Sequence, residues 1–280
     1  MVQRNRYSGQ NKKRRERKGR SPRKWLIAGG ALLAAAVLIG VLFRPGGPFV
    51  EDVPVPAGIA DYAGRHDIPV SDWPDELLKL YDQNPEARDF VLGYPENRDR
   101  EFTIDLSEYA HTDHVPLLMQ WDERWGYTRY AGELFGLSGC GPTCLSMVAI
   151  YLTGDTSLDP KKMGDFAAEN GYVSWGNGTS WTLFSEGAAE LGLDSTELPL
   201  DEQRIVSNLE AGNPVVCVMG PGDFTTTGHF IVLTGLEDGK FTVNDPNRRA
   251  NSEKLWGYDE IKDQIRNLWA FQKKVTGEGY

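Results

Sequence analysis

The sequence predicts an α+β domain in which helices come first and an antiparallel sheet follows. Leu145 to Leu152 is almost wholly apolar and stops at Gly154, the pattern of a helix buried on all sides. Asp159-Pro160, a cap followed by proline, opens a second helix that ends at Gly171. Thr182 to Leu191 and Asp201 to Ala211 fit two more, the last closed by Gly212. After that the period changes. Pro214 to Met219, His229 to Thr234, Phe241 to Asn244 and Leu268 to Lys273 are short and rich in β-branched or aromatic residues, so they read as strands.

Ahead of this body the 280-residue chain divides by charge. The first 24 residues carry eleven Lys/Arg and one acid, Glu16, whereas from Pro45 onward 18 Lys/Arg face 39 Asp/Glu. A basic tail is thus joined to an acidic body. Between them Trp25 to Phe43 runs nineteen residues without a charge. As a helix it is roughly 28 Å long, close to the hydrocarbon thickness of a bilayer. The cations lie on its N-terminal side, which places the N-terminus in the cytoplasm and the body outside the cell. No small-x-small cleavage site follows Phe43, so an uncleaved single-pass anchor is expected rather than a signal peptide. The expected organisation is a cytoplasmic tail (1–24), a transmembrane signal anchor (25–43), a stalk and N-terminal helical extension (44–114) and the body (115–280). Within the third part, residues 45–72 are rich in Pro, Gly and Asp and read as stalk. Leu77, Leu78, Leu80 and Tyr81, then Ala87, Phe90 and Val91, space one or two amphipathic helices.

Only three cysteines occur, Cys140, Cys144 and Cys217, an odd number that leaves at least one free thiol. Cys140 lies in Ser138-Gly139-Cys140-Gly141-Pro142-Thr143, where flanking glycines allow a tight turn and close substrate access. Pro142 suits the first turn of the helix that follows, so Cys140 sits at a helix N-terminus, where free amides favour a thiolate. Cys217, in an apolar strand, reads as a small buried hydrophobe. A thiolate nucleophile needs a base. Of four histidines, only His229 begins an apolar strand. Sixteen residues on, Asp245 ends the next strand, and a three-residue loop Glu237-Asp238-Gly239 pairs Leu236 with Lys240 and Ile231 with Asp245. His229 and Asp245 then share a face, where the carboxylate holds the imidazole; a two-residue turn is expected to part them. Before a proline, Asp245 also fits a turn cap. Gln120 has the chemistry to donate to an oxyanion beside the Cys140 N–H, although from spacing alone a surface glutamine is the default reading.

With these residues in place, the body from about Val115 to Phe271 resembles the cysteine peptidase family 39, and more closely its family 39-like branch in Gram-positive bacteria. The resemblance rests on Gln120-x-Asp122-x-x-Trp125, Ser138 to Thr143, Gly212-x-Pro214-Val215, Gly228 to Val232, and Asp245-Pro246. It implies a papain-like fold, with an N-terminal helical part and central buried helix followed by an antiparallel sheet. It also implies Cys140 as nucleophile, His229 as base, Asp245 as orienting residue and Gln120 as oxyanion donor. About twenty residues separate Gln120 from Cys140, as in the family 39-like branch; the bacteriocin-exporter members have only a few. Two loops are expected to line the cleft: one with Trp175, Gly178 and Trp181, the other with Phe224 leading to Gly228, while Gly139 adjoins the nucleophile.

The expected function is peptide-bond hydrolysis through a thioester by a membrane-anchored extracellular enzyme. Its partners are a peptide or protein substrate and, through residues 25–43, the membrane. A cell-wall peptide amidase with the same residues and an inactive papain-like binding module are the alternatives. A basic tail alone could bind nucleic acid, but the membrane-length apolar run that follows it argues otherwise. With no His-x-x-x-His, paired Cys-x-x-Cys or phosphate loop, neither metal nor cofactor is expected.

Overall fold

Residues 53–174 and 178–273 are described by a computed structural model. The expected tail and anchor, residues 1–24 and 25–43, lie outside them. Among the described residues no helix is long and apolar enough to cross a membrane.

Residues 57–72, expected within a stalk, are folded instead. Helix α1 (Ala57–His66) and a 3-10 turn (Val70–Asp72) precede α2 (Asp75–Gln83) and α3 (Arg88–Asn97). Ile59 and Ala63 stand one turn apart and are buried together with Trp73, Leu77, Phe90 and Val91. The flanking Pro, Gly and Asp residues obscured that short apolar face. This layer packs on the body through Phe90, whose ring stacks on Tyr127 at 4.5 Å.

The buried helix α4 (Cys140–Thr153) starts at the glycine-flanked cysteine and ends at Gly154, in the left-handed region at φ 72°. Every residue from Gly141 to Ile150 is buried. In α5 (Pro160–Glu169), Asp159 Oδ1 accepts from Lys162 N at 2.9 Å. The helix expected over Thr182–Leu191 is broken into a 3-10 turn (Trp181–Phe184) and a short α6 (Glu186–Glu190). The bend at Ser185 lets adjacent Leu183 and Phe184 both reach the core with Ala188.

Strand β1 (Leu193–Glu197) was not apparent from sequence. It is an edge strand, paired on one side only, and its Asp194-Ser195-Thr196 centre carries no apolar alternation. Helix α7 (Glu202–Glu210), capped by Asp201, leads to β2 (Val215–Met219), β3 (His229–Glu237), β4 (Lys240–Asn244), the short α8 (Arg249–Ser252) and β5 (Ile265–Lys273). The sheet order is β1-β5-β2-β3-β4, antiparallel throughout. Val216, Val218, Phe230, Val232 and Trp269 meet α4, while Val215, Cys217, Met219, Ile231 and Leu233 meet Ile205 and Leu209 of α7. Both sheet faces are therefore covered, and β2 is buried along its whole length. The architecture is the expected α+β arrangement of papain-like type, a central helix backed by an antiparallel sheet.

The β3–β4 turn departs from expectation and yet preserves its consequence. It has two residues, Asp238 and Gly239, at φ 51° and 73°, so Glu237 pairs with Lys240 and Leu236 with Phe241. Two successive positive φ values suit the primed turns that follow the natural strand twist. A bulge between Leu233 and Gly235 then inserts Thr234. Beyond it Leu233 pairs with Val243 and Val232 with Asn244, the register a three-residue loop was expected to give. His229 and Asp245 are thereby returned to one face.

Candidate active site

Cys140 is the first residue of α4 and is partly exposed. Its flanking glycines serve packing more than mobility. A Cβ at Gly139 would overlap the Phe135 ring, and one at Gly141 would overlap Thr179. Gly139, expected among the substrate contacts, thus packs behind Cys140 and does not border either lobe of the cleft. Thr179 is held by Tyr130, with 2.9 Å between the hydroxyls. The next thiol, Cys144, is fully buried, and burial pushes its pKa up.

His229 opens β3 and is 7 % exposed. Its Nε2 donates to Asp245 Oδ1 at 2.7 Å, which leaves Nδ1 as the uncommitted ring nitrogen in a cleft that His229 and Cys140 both line. Burial alone would lower the imidazole pKa, but the Asp245 carboxylate, with a smaller contribution from Cys140, raises it to about 10. For Asp245, burial pushes upward and is outweighed by His229 and by hydrogen bonds, so its pKa lies below the usual carboxylate value. Asp245 is fully buried. Its Oδ1 also accepts from Asn247 N at 2.8 Å and Arg248 N at 3.2 Å, and Oδ2 from Asn251 Nδ2 at 2.7 Å. It is therefore both a turn cap and the histidine's partner, two roles that the sequence presented as alternatives.

Gln120 is buried, and its backbone N–H donates to Pro246 O at 2.7 Å, beside Asp245. Its Nε2 donates to Gly136 O at 2.9 Å. Exchanging amide O and N would set two oxygens against each other, so the Gly136 carbonyl fixes the NH₂ group there. Oε1 is buried without a hydrogen-bond partner among the described residues, and Gln120 lines a cavity together with Cys140 and His229.

Those residues lie in a cleft of two lobes, about 640 and 600 Å³, which share Leu137, Cys140, Thr227, Gly228 and His229 as borders. Gly178 and Trp181 line the first lobe, as expected; Trp181 is 46 % exposed and meets Trp269 edge-on. Phe224 borders the second lobe, but most of its ring is buried against Trp256 at 4.5 Å. Trp175 lies outside the described residues. Sequence reasoning missed Arg266 and Glu133 in the first lobe, and Glu76, Leu80 and Asn84 in the second. The last three belong to the N-terminal extension, more than fifty residues from Cys140, and nothing local marks them. Asn251 was missed as well; its spacing from Asp245 is a signal only once α8 is known.

Residues 112–276, more than half of the chain, match the Peptidase_C39 like family. Among solved structures, the peptidase domain of Streptococcus ComA, a bifunctional ABC transporter involved in a quorum-sensing pathway, is 18 % identical with a TM-score of 0.40. That alignment covers 57 % of this chain and 99 % of the other. A putative C39-like peptidase from Bacillus anthracis is 17 % identical with a TM-score of 0.41, covering 62 % and 98 %. No curated protein matches. By the family match, the chain belongs to the Peptidase_C39 like family of cysteine-peptidase-type domains.

Proposed function

We propose that this chain hydrolyses peptide bonds with Cys140 as nucleophile. The observation that carries the reading is the imidazole of His229, gripped by Asp245 on one ring nitrogen and lining, together with Cys140, both lobes of the cleft. With a pKa near 10, His229 holds its proton at neutral pH and has it ready for a leaving group. The Cys140 sulfur attacks the carbonyl carbon, and the carbonyl electron pair moves to oxygen. The Cys140 N–H, at the start of a helix where amides have no partner within it, and the free Gln120 N–H receive that oxygen. Collapse of the intermediate breaks the C–N bond, His229 protonates the departing amine, and a thioester remains. Water, giving a proton to His229, then attacks the thioester; the C–S bond breaks with its electron pair on sulfur, the acid leaves, and the protonated His229 is restored beside Cys140.

The extracellular setting belongs to the same proposal. A cationic tail before a nineteen-residue apolar run supports a single-pass anchor with the acidic domain outside the cell. Protease added to intact cells should then degrade the domain and spare residues 1–24; full protection of the domain would overturn this topology.

The activity itself is tested by incubating the full chain with cell-envelope peptide mixtures and following new termini by mass spectrometry. New termini should appear with the native chain and vanish with Cys140→Ala. Identical peptide maps from both would refute the peptidase reading.

A further inference from the structure

Apart from His229, the donors to the Asp245 carboxylate come from residues 247–251, and Ser252 holds its backbone. Asn247 N, Arg248 N and Asn251 Nδ2 donate to it, and its own N–H donates to Ser252 Oγ at 2.9 Å. That segment is clasped from the far side by the N-terminal extension. Arg248 donates to Gln83 O at 2.7 Å, and the buried Asn84 donates through Nδ2 to Asn247 O at 2.7 Å. Glu86 makes the closest grip on α8, its two oxygens accepting from Arg249 N at 2.7 Å and Ala250 N at 3.0 Å. A carboxylate on the first amides of a helix satisfies donors the helix leaves open. Here it fixes the one turn that carries Asn251 and Ser252 to Asp245.

We propose that Glu86 is a positioning residue for the Asp245–His229 pair, acting through α8 across 159 residues of sequence. The inference rests on the peptidase reading above. Were Glu86 only a staple for the extension, its loss would lower stability and leave the imidazole's proton affinity unchanged. The titratable groups facing this pair from the packed elements are Cys140 and Cys144 of α4; Asn251 contributes a neutral donor.

The test is the rate at which iodoacetate carboxymethylates Cys140 in the full chain, measured against pH and resolved from Cys144 and Cys217 by peptide mapping. An anionic reagent is favoured while His229 is protonated, so the rate falls as the imidazole titrates. In Glu86→Ala the alkaline fall should move down by about one pH unit, a tenfold weaker hold on the proton. Glu86→Gln keeps one accepting oxygen and should lie between. Glu96→Ala, an exposed site on α3 away from α8, should match the native profile. If Glu86→Ala folds by circular dichroism and its alkaline limb coincides with the native one, the proposal is wrong. If it does not fold, Glu86→Gln decides on the same criterion. His229→Ala separates the two ideas. A profile unchanged by that substitution removes the dyad and Glu86's role together, whereas a changed one beside a native-like Glu86 profile removes only the latter.

Discussion

At the scale of single residues, the site is an exercise in making burial tolerable. His229 and Asp245 are both withdrawn from water, which would neutralise either alone; together they keep opposite charges. The direction of each shift fixes how stability follows pH. The imidazole is raised from 6.5 to about 10, so its contribution is complete below about pH 6.5 and fades as pH climbs through 10. Asp245 is lowered, so its share is present above the ordinary carboxylate range and is lost as pH falls through its folded value. The melting-temperature gap between native protein and His229→Gln should therefore be widest near pH 5–6 and narrow steadily toward pH 10. A constant gap in thermal scans across that range would contradict the assignment. For Gln120, loss of one oxyanion donor should reduce kcat by about 10²–10³-fold in Gln120→Ala. The KM should change little, because the donor acts on charge that develops after binding. Steady-state kinetics on any peptide the native chain cleaves would show it; a fall confined to KM would make Gln120 a substrate contact instead.

Among the secondary elements, α4 and the β3–β4 hairpin set the two halves of the dyad. Helix α4 was legible because Leu145 to Leu152 is apolar except for Ser146, a pattern that suits an enclosed helix. Leu145→Ala should cost about 2–5 kcal/mol in chemical denaturation, the range for a large side chain removed from a packed core. A value below 1 kcal/mol would mean the helix end is looser than its zero exposure implies. The hairpin was legible only in outcome. Asp238-Gly239 marked a turn, but its length and the compensating bulge at Thr234 are coupled through backbone twist, which residue types do not encode. Thr234 itself offers a slight sign, since its hydroxyl meets that of Thr242 at 2.8 Å. Deleting Thr234 should remove the extra residue while leaving the turn intact. Residues before the bulge then shift by one, turning His229 away from Asp245. Peptide cleavage and the alkaline limb of Cys140 alkylation should both disappear, and retention of either would show that the strand repairs its register elsewhere. Edge strand β1 and the helix at residues 57–66 escaped notice for a related reason. Each buries too little apolar surface to impose a period, and only the neighbours show why it forms.

Across the described residues, the N-terminal extension is joined to the body by apolar packing at Tyr127 and Leu134 and by the hydrogen bonds of Asn84 and Gln83 with Asn247 and Arg248. It also furnishes a wall of the second cleft lobe through Glu76, Leu80, Gln83 and Asn84. That wall comes from residues more than fifty positions before Cys140, where no motif signals it. The lobe's charged lining, besides His229, is Glu76 and Asp223 against Arg248, whose guanidinium already donates to Gln83 O. A cationic side chain of a substrate seated there meets two carboxylates at a partly open surface, where charge pairs are worth about 0.2–1 kcal/mol and weaken with salt. Glu76 is exposed, so reversing its charge carries little folding cost. In Glu76→Lys, peptides presenting Lys or Arg to this lobe should lose a few-fold in kcat/KM, with kcat nearly unchanged, and those presenting Asp or Glu should gain. The difference should shrink as salt is raised from low to 0.5 M. Cleavage-site profiles of one peptide library, digested by both forms at two salt concentrations, would decide the matter. Superimposable profiles would mean that the extension shapes the cleft without reading the substrate's charge.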